Sequence, residues 1–223
     1  MGRKDNSHTS DYYALKAKKE GYPARSVYKL MEIQQKFKVI DRSSGILDIG
    51  AAPGSWSLYI LREFAALSGK GGFLVSVDIL PIDIDHKGDN FVFLQGDAFE
   101  EETLSKIKEK GPYKTVLSDA APSTTGNRTV DTERSLQLVE SVIDLAEKTL
   151  SQNGSLVVKI FQGGGEKKVM ERMKKMFKNV KIFKPDSVRK ISFETYLIGT
   201  GMFITSAKVT CPSKVETDFA AGL

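Results

Sequence analysis

The chain has 223 residues, 40% of them hydrophobic and 27% charged, with a formal net charge of +5. That length suffices for one well-buried domain. No apolar run approaches the roughly 20 residues that span a bilayer, and no apolar signal-peptide core stands near Met1, so a cytoplasmic protein without a membrane partner is expected. A single cysteine, Cys211, and two histidines, His8 and His86, exclude a disulfide framework, a Cys/His metal site and a cysteine-protease pair. No metal is therefore expected.

In chain order, the first expected elements are helices over 12–20 and 26–37, joined by Gly21-Tyr22-Pro23. They form a basic helical appendage over residues 1–42, attached to a domain over 43–203. From residue 43 apolar strands alternate with amphipathic helices. Strands are expected over 46–49, 72–77, 91–94, 115–117, 155–160, 180–183 and 195–199, and helices over 55–67, 101–110, 132–150 and 166–178. That alternation predicts an α/β protein with a Rossmann-like, mostly parallel seven-stranded sheet and helices on both faces. In the last helix Val169, Met170, Met173, Met176 and Phe177 recur at helical spacing, which marks the methionines as core. Residues 204–223 have weak periodicity and are expected to form a flexible tail.

Charge is segregated along the chain. Residues 1–42 hold ten Lys/Arg against five acids, 43–158 ten against seventeen, and 159–190 eleven against three. An acidic middle between basic ends can present an electropositive face to a polyanion. A single surface lysine is most often only a solvated charge. The blocks are harder to dismiss, and they nominate Lys16, Lys18, Lys19 and Arg25, with Lys167 and Lys168, as contacts to the phosphates of a polyanion, which the resemblance described below implies is RNA. Arg172, Lys174 and Lys175 continue the second block.

The first strand ends in Asp48-Ile49-Gly50-Ala51-Ala52-Pro53-Gly54-Ser55-Trp56, an acid followed by a turn of small residues. Gly50 and Gly54 let backbone approach a ligand closely, and Ser55 is placed to cap the helix after it. Ala52 and Ser55 break the Gly-x-Gly-x-x-Gly spacing of dinucleotide folds, which disfavours an oxidoreductase. A cofactor with a nucleoside and an amino-acid end but no phosphate fits better, and S-adenosylmethionine is the common one.

In an open α/β sheet the ligand lies beyond the carboxyl ends of the strands. The acids there are Asp48, Asp78, Asp97 and Asp119. Asp78 is suited to accept from ribose hydroxyls, and Asp97 from an adenine amino group. Asp119 ends a strand expected beside the first, so it faces the same crevice, where substrate meets cofactor. Lys159 ends the most apolar strand of the chain, a costly place for an ammonium unless it reaches solvent, an acid or a substrate. Lys29 and Glu194 are unremarkable by themselves.

Together these motifs resemble the FtsJ family of RNA ribose 2′-O-methyltransferases, in particular its compact type acting on large-subunit ribosomal RNA. The resemblance covers about residues 10–202. It is carried by Ser26-Val27-Tyr28-Lys29-Leu30, the run Asp48 to Trp56, Phe93-Leu94-Gln95-Gly96-Asp97, Ser118-Asp119-Ala120-Ala121-Pro122, Val157-Val158-Lys159-Ile160-Phe161-Gln162-Gly163 and Glu194-Thr195-Tyr196. It implies an S-adenosylmethionine-dependent methyltransferase fold with an antiparallel last strand. The implied catalytic tetrad falls on Lys29, Asp119, Lys159 and Glu194, and the implied cofactor positions on Gly54, Trp56, Asp78, Asp97 and Asp119, beside Asp48 and Gly50 of the turn. The implied substrate is a ribose, of a uridine, in 23S-type ribosomal RNA within the large subunit, and the implied enzyme is a monomer. Ser55 departs from the pattern where a second glycine is common, and the loop Leu80-Pro81-Ile82-Asp83 only approximates it.

On that reading Lys159 removes the hydroxyl proton, which requires a neutral amine and hence a pKa below the usual value of about 10.4. Lys29 is the cation that favours this. Asp119 and Glu194 pull the other way, so a charged Lys159 that only orients the hydroxyl remains an alternative. The rival functions are methyl transfer to a small molecule or protein, 2′-O-methylation of a tRNA anticodon loop, and a noncatalytic RNA-binding assembly factor.

Overall fold

The computed structural model describes residues 7–41, 43–64, 72–86 and 88–203. The elements run α1 (Ser7–Lys19), α2 (Val27–Phe37), β1 (Gly45–Ile49), α3 (Ser55–Phe64), β2 (Phe73–Asp78), β3 (Phe91–Gln95), α4 (Glu101–Lys110), β4 (Tyr113–Ser118), α5 (Arg128–Thr149), β5 (Leu150–Phe161), α6 (Glu166–Met176), β6 (Phe177–Phe183) and β7 (Glu194–Met202). The expected tail over 204–223 and residues 65–67 of the expected third helix lie outside the described residues. The seven strands form one sheet in the order β3-β2-β1-β4-β5-β7-β6. Every pair from β3 to β5 is parallel, and β7 runs antiparallel to both β5 and β6.

Both faces of this sheet are covered because its central strands are apolar on both sides, and successive side chains point to opposite faces. On one face Ile46, Leu74, Leu117, Val157 and Ile198 pack against Leu30 and Ile33 of α2 and Trp56 and Ile60 of α3. On the other, Leu47, Val75, Val116, Leu156 and Val158 pack against Val139, Val142 and Ile143 of α5 and Val169, Met173 and Met176 of α6. Each such fully buried aliphatic side chain contributes about 1.5–3 kcal/mol of transfer free energy. The methionines are core, as their spacing implied.

Local deviations have local causes. α5 starts four residues before the expected 132 because the Asn127 side chain accepts from the backbone N–H groups of Thr129 and Val130, at 3.1 and 3.4 Å. β6 begins at Phe177, inside the expected last helix, because residues 177–183 pair with β7, a long-range partner that local periodicity does not reveal. Ser55 does not cap α3. Its buried Oγ accepts from Ala24 N at 2.7 Å and donates to Ala24 O at 3.1 Å, so it fastens the segment that leads into α2.

That segment is tied down again and again. Trp56 Nε1 donates to Ser26 O at 2.8 Å, and Arg62 donates to Glu20 O at 2.8 Å and Gly21 O at 3.1 Å. From α2, Glu32 accepts from the N–H groups of Asp186 at 2.6 Å and Ser187 at 3.0 Å, while Arg25 donates to Ser187 O. The N-terminal helices therefore grip both the turn after β1 and the loop between β6 and β7. This fixes where Lys29 of α2 stands relative to the sheet.

Candidate active site

Two turns meet at the carboxyl ends of β1 and β4, and Gly50 is what lets them meet. Its φ is +74°, and a Cβ there would lie 2.7 Å from Ala120 Cα and 2.8 Å from Ala120 N, closer than a side chain tolerates. Beside this contact opens a cavity of about 570 Å³, a size suited to a nucleoside-bearing ligand. Gly50, Asp78, Asp97 and Asp119 line it.

Asp78 ends β2 and spends part of its carboxylate on the fold: Oδ2 accepts from Ala52 N and Oδ1 from Leu80 N, each at 2.8 Å. A carboxylate has about four acceptor sites, so two remain for the vicinal hydroxyls of a ribose. Asp97 accepts from Phe99 N at 2.9 Å through Oδ1, which leaves Oδ2 available for an amino donor. This donor set, an acid at the end of each of two adjacent strands with a close-approach turn beside them, fits a nucleoside with an amino-acid end. Among the described residues that line the cavity there is no Lys or Arg to hold a pyrophosphate.

Gly54, Trp56 and Asp48 stand elsewhere. Gly54, φ +103°, packs against Ile84, with a would-be Cβ 3.1 Å from that side chain. Trp56 is buried, bonded to Ser26 and set at a tilt against Tyr196 at 6.0 Å between ring centroids. Asp48 is 1% exposed beneath the turn and accepts from Ser57 Oγ at 2.7 Å, and Ser57 in turn touches Ser76 Oγ at 2.8 Å. None of the three lines the cavity; Trp56 and Asp48 support the turn from below, and Gly54 packs within it against Ile84.

The tetrad converges. Lys159 Nζ lies 3.0 Å from Asp119 Oδ1 and also donates to the Asp119 carbonyl. Lys29 Nζ lies 2.8 Å from Glu194 Oε1 and 3.9 Å from Asp119 Oδ1. Charges thus alternate from Lys159 to Asp119 to Lys29 to Glu194, each mostly shielded from water. Strand register explains the assembly: Lys159 pairs with Tyr196 and Phe161 with Glu194 across β5 and β7, which puts Lys159 and Glu194 on the face that α2 covers. Burial pushes the Asp119 carboxyl up, but Lys159 and Lys29, with hydrogen bonds from Tyr196 and Lys159, outweigh it and hold Asp119 below its ordinary value.

Two residues at this site escaped the sequence reading. Tyr196 donates its OH to Asp119 Oδ1 at 2.6 Å, and burial together with the neighbouring acids pushes the phenol well above its ordinary value, so it stays a donor. Its place in the motif Glu194-Thr195-Tyr196 was the signal available. Asp131, in the first turn of α5, accepts from Thr125 N at 2.7 Å, Thr125 Oγ1 at 2.8 Å and Gly126 N at 3.2 Å, pinning the loop that follows Asp119. The Thr125 N–H bond leads the interactions that lower its pKa.

The basic blocks separate. Lys16, Lys18 and Lys19 lie on α1, on the side of α2 and α3, whereas Lys167 and Lys168 lie on α6, which packs with α5 on the opposite face. Lys168 pairs with Glu140 at 3.0 Å, and Arg172 with Asp144 and Glu147, so part of the second block is spent on α5. Lys16 is shared with Glu20 and the Tyr28 ring.

A seven-stranded sheet of this order, with a nucleoside-sized cavity beyond β1, β2 and β4 and a Lys-Asp-Lys-Glu array beside it, defines an α/β methyltransferase. Residues 22–202 match the FtsJ-like methyltransferase family, and the chain belongs to it. Among its relatives, proteins named ribosomal RNA large subunit methyltransferase E are 48% identical in Treponema denticola, over 85% of this chain and 93% of that one, and 50% identical in Borrelia garinii subsp. bavariensis, over 86% and 96%. A crystal structure described as a ribosomal RNA methyltransferase of Plasmodium falciparum superposes with a TM-score of 0.70 at 27% identity, covering 81% of this chain and 98% of that one.

Proposed function

We propose that this protein transfers a methyl group from S-adenosylmethionine to a ribose 2′-hydroxyl of large-subunit ribosomal RNA. The observation that carries this reading is the convergence of Lys159, Lys29 and Tyr196 on Asp119 at the mouth of a nucleoside-sized cavity. A small-molecule methyltransferase has no use for this array beside flanking basic helices. The finer reading is a uridine in the assembled subunit, methylated by a monomeric, cytoplasmic enzyme. Among the described residues no helix is long and apolar enough to cross a membrane.

Asp78 and Asp97 would hold the nucleoside and Gly50 the approach to its amino-acid end. Bound there, S-adenosylmethionine supplies a methyl group on a sulfonium. Two donor directions of Lys159 Nζ are committed to Asp119, through its Oδ1 and its carbonyl. With Lys159 as the neutral amine, the remaining direction is the nitrogen lone pair, which accepts the hydrogen bond of the ribose hydroxyl and takes its proton at Nζ. Lys29, tied to Glu194, keeps Asp119 from drawing all of its compensation from Lys159. Alignment of this kind accounts for about 7–11 kcal/mol of a barrier in well-oriented reactions.

Mapping radiolabelled methyl groups onto large subunits, free ribosomal RNA and tRNA from a strain lacking the protein tests the substrate. Label in large-subunit RNA, recovered as 2′-O-methyluridine after digestion, is the expected result; label in tRNA alone would move the assignment to the anticodon loop. Asp78→Ala is expected to weaken S-adenosylmethionine binding about tenfold or more by calorimetry, since a carboxylate hydrogen bond contributes roughly 1.5–3 kcal/mol. Unchanged affinity would place the ribose elsewhere. RNA affinity is expected to fall steeply with salt, with a log–log slope near −3 if about four phosphates are met at roughly −0.7 each. Changing Lys16, Lys18 and Lys19 together to Ala should flatten that slope, and salt-independent binding would overturn the electrostatic assignment.

A further inference from the structure

Next to the tetrad stands a series of aromatic and arginine contacts that the chemistry above does not use. Phe161 and Phe193 meet edge to face with ring centroids 4.8 Å apart. The Arg128 guanidinium lies over the Phe193 ring, 5.4 Å from its centroid, and donates to Gln162 O at 3.4 Å. Both phenylalanines are half-buried and Arg128 is exposed. Phe161 is the register partner of Glu194 and lies two residues beyond Lys159 on the same strand face, while Phe193 directly precedes Glu194 and bonds through its carbonyl to Gln162 N at 2.8 Å. Asn127 and Asp131 fix the start of α5, which holds Arg128 at this rim.

Resting on the RNA reading above, we infer that the Phe161–Phe193–Arg128 series is a stacking platform for the base of the nucleotide whose ribose is methylated. Lys159 is only 8% exposed. A hydroxyl can reach Nζ only if its nucleotide leaves the RNA stack, and that unstacking must be offset at the site. Aromatic rings and arginine planes are the groups that receive splayed single-stranded bases, and two rings and an exposed guanidinium stand together at this rim. The site is sequence-tolerant in this form, because every base has a face to stack; discrimination would come from its edge, near Gln162.

The test uses the full chain, large-subunit RNA from a strain lacking the protein, and Arg128→Lys, Arg128→Ala and Phe193→Leu. Transfer is followed by single-turnover methylation and RNA affinity by filter binding at several salt concentrations, with S-adenosylmethionine affinity as the check on folding. Lysine keeps the charge but lacks the plane. A platform predicts that Arg128→Lys loses nearly as much as Arg128→Ala, about five- to 150-fold in RNA affinity and kcat/KM, the range for loss of one stacked base. Phe193→Leu should follow, with cofactor affinity unchanged in all three. If Arg128→Lys behaves as wild type while Arg128→Ala lowers the salt slope by about one, Arg128 is a phosphate contact and the platform is wrong. Wild-type behaviour of all three variants overturns it as well. Should wild type bind RNA without methylating it, the proposed function fails, and the variants' affinities still decide the platform.

Discussion

Lys159→Ala is expected to abolish detectable methyl transfer, a loss of about 10²–10⁴-fold if proton removal is its task, while S-adenosylmethionine affinity stays within a few-fold of wild type. The separation follows from geometry. Lys159 does not line the cavity; it stands beyond Asp119, which does. The fold should survive the change, because Asp119 keeps the hydrogen bond from Tyr196 at 2.6 Å and Lys29 at 3.9 Å, so its charge is not stranded. Single-turnover methylation with saturating cofactor, beside calorimetric titration of S-adenosylmethionine, measures both sides. Turnover near the wild-type rate would refute the assignment. Rate against pH then divides the two roles of the amine: a base gains activity as its proton is lost, whereas an ammonium that only orients the hydroxyl loses it.

The contrast between Lys159 and Lys29 shows how much of the site the sequence could carry. A lysine ending the run Ser155-Leu156-Val157-Val158-Lys159-Ile160-Phe161 is conspicuous because its surroundings make it costly. Lys29 looks like any helix surface lysine until α2 is docked, and the docking depends on Ser55 and Trp56 gripping Ala24 and Ser26, contacts 30 or 31 residues apart. Only the family resemblance singled out Lys29 and Glu194 beforehand. The strands and helices were legible wherever one element's own periodicity determined it, as in α4, and less so where a partner did: β6 exists because β7 pairs with it. Trp56 and Asp48 stood in the right motif, and both are buried beneath the turn, where they support it. An acid at the end of a strand reads alike whether it faces ligand or core, since alternation is too short there to tell the two apart.

Asp48 yields the second large effect, on stability rather than on rate. Its carboxyl is 1% exposed, Oδ2 accepts from Ser57, and Oδ1 has no hydrogen-bond partner among the described residues. Burial pushes its pKa up to about 7, with Asp119 and Asp78 adding to the rise and the Ser57 bond opposing it. Unfolded, an aspartate titrates near 3.9. The folded protein therefore holds a proton that the unfolded chain releases between these two values, so this group's contribution is complete below about pH 4 and is lost as pH rises through about 7. One proton corresponds to about 1.4 kcal/mol per pH unit, or roughly 2–3 kcal/mol between pH 5 and pH 7. Asp48→Asn removes the titration and keeps an oxygen for Ser57. Urea unfolding across pH 5–8 should show the variant lacking that decline and gaining on wild type as pH rises. Parallel curves for the two proteins would mean that Asp48 is ionised in the fold, with a compensating partner still to be found.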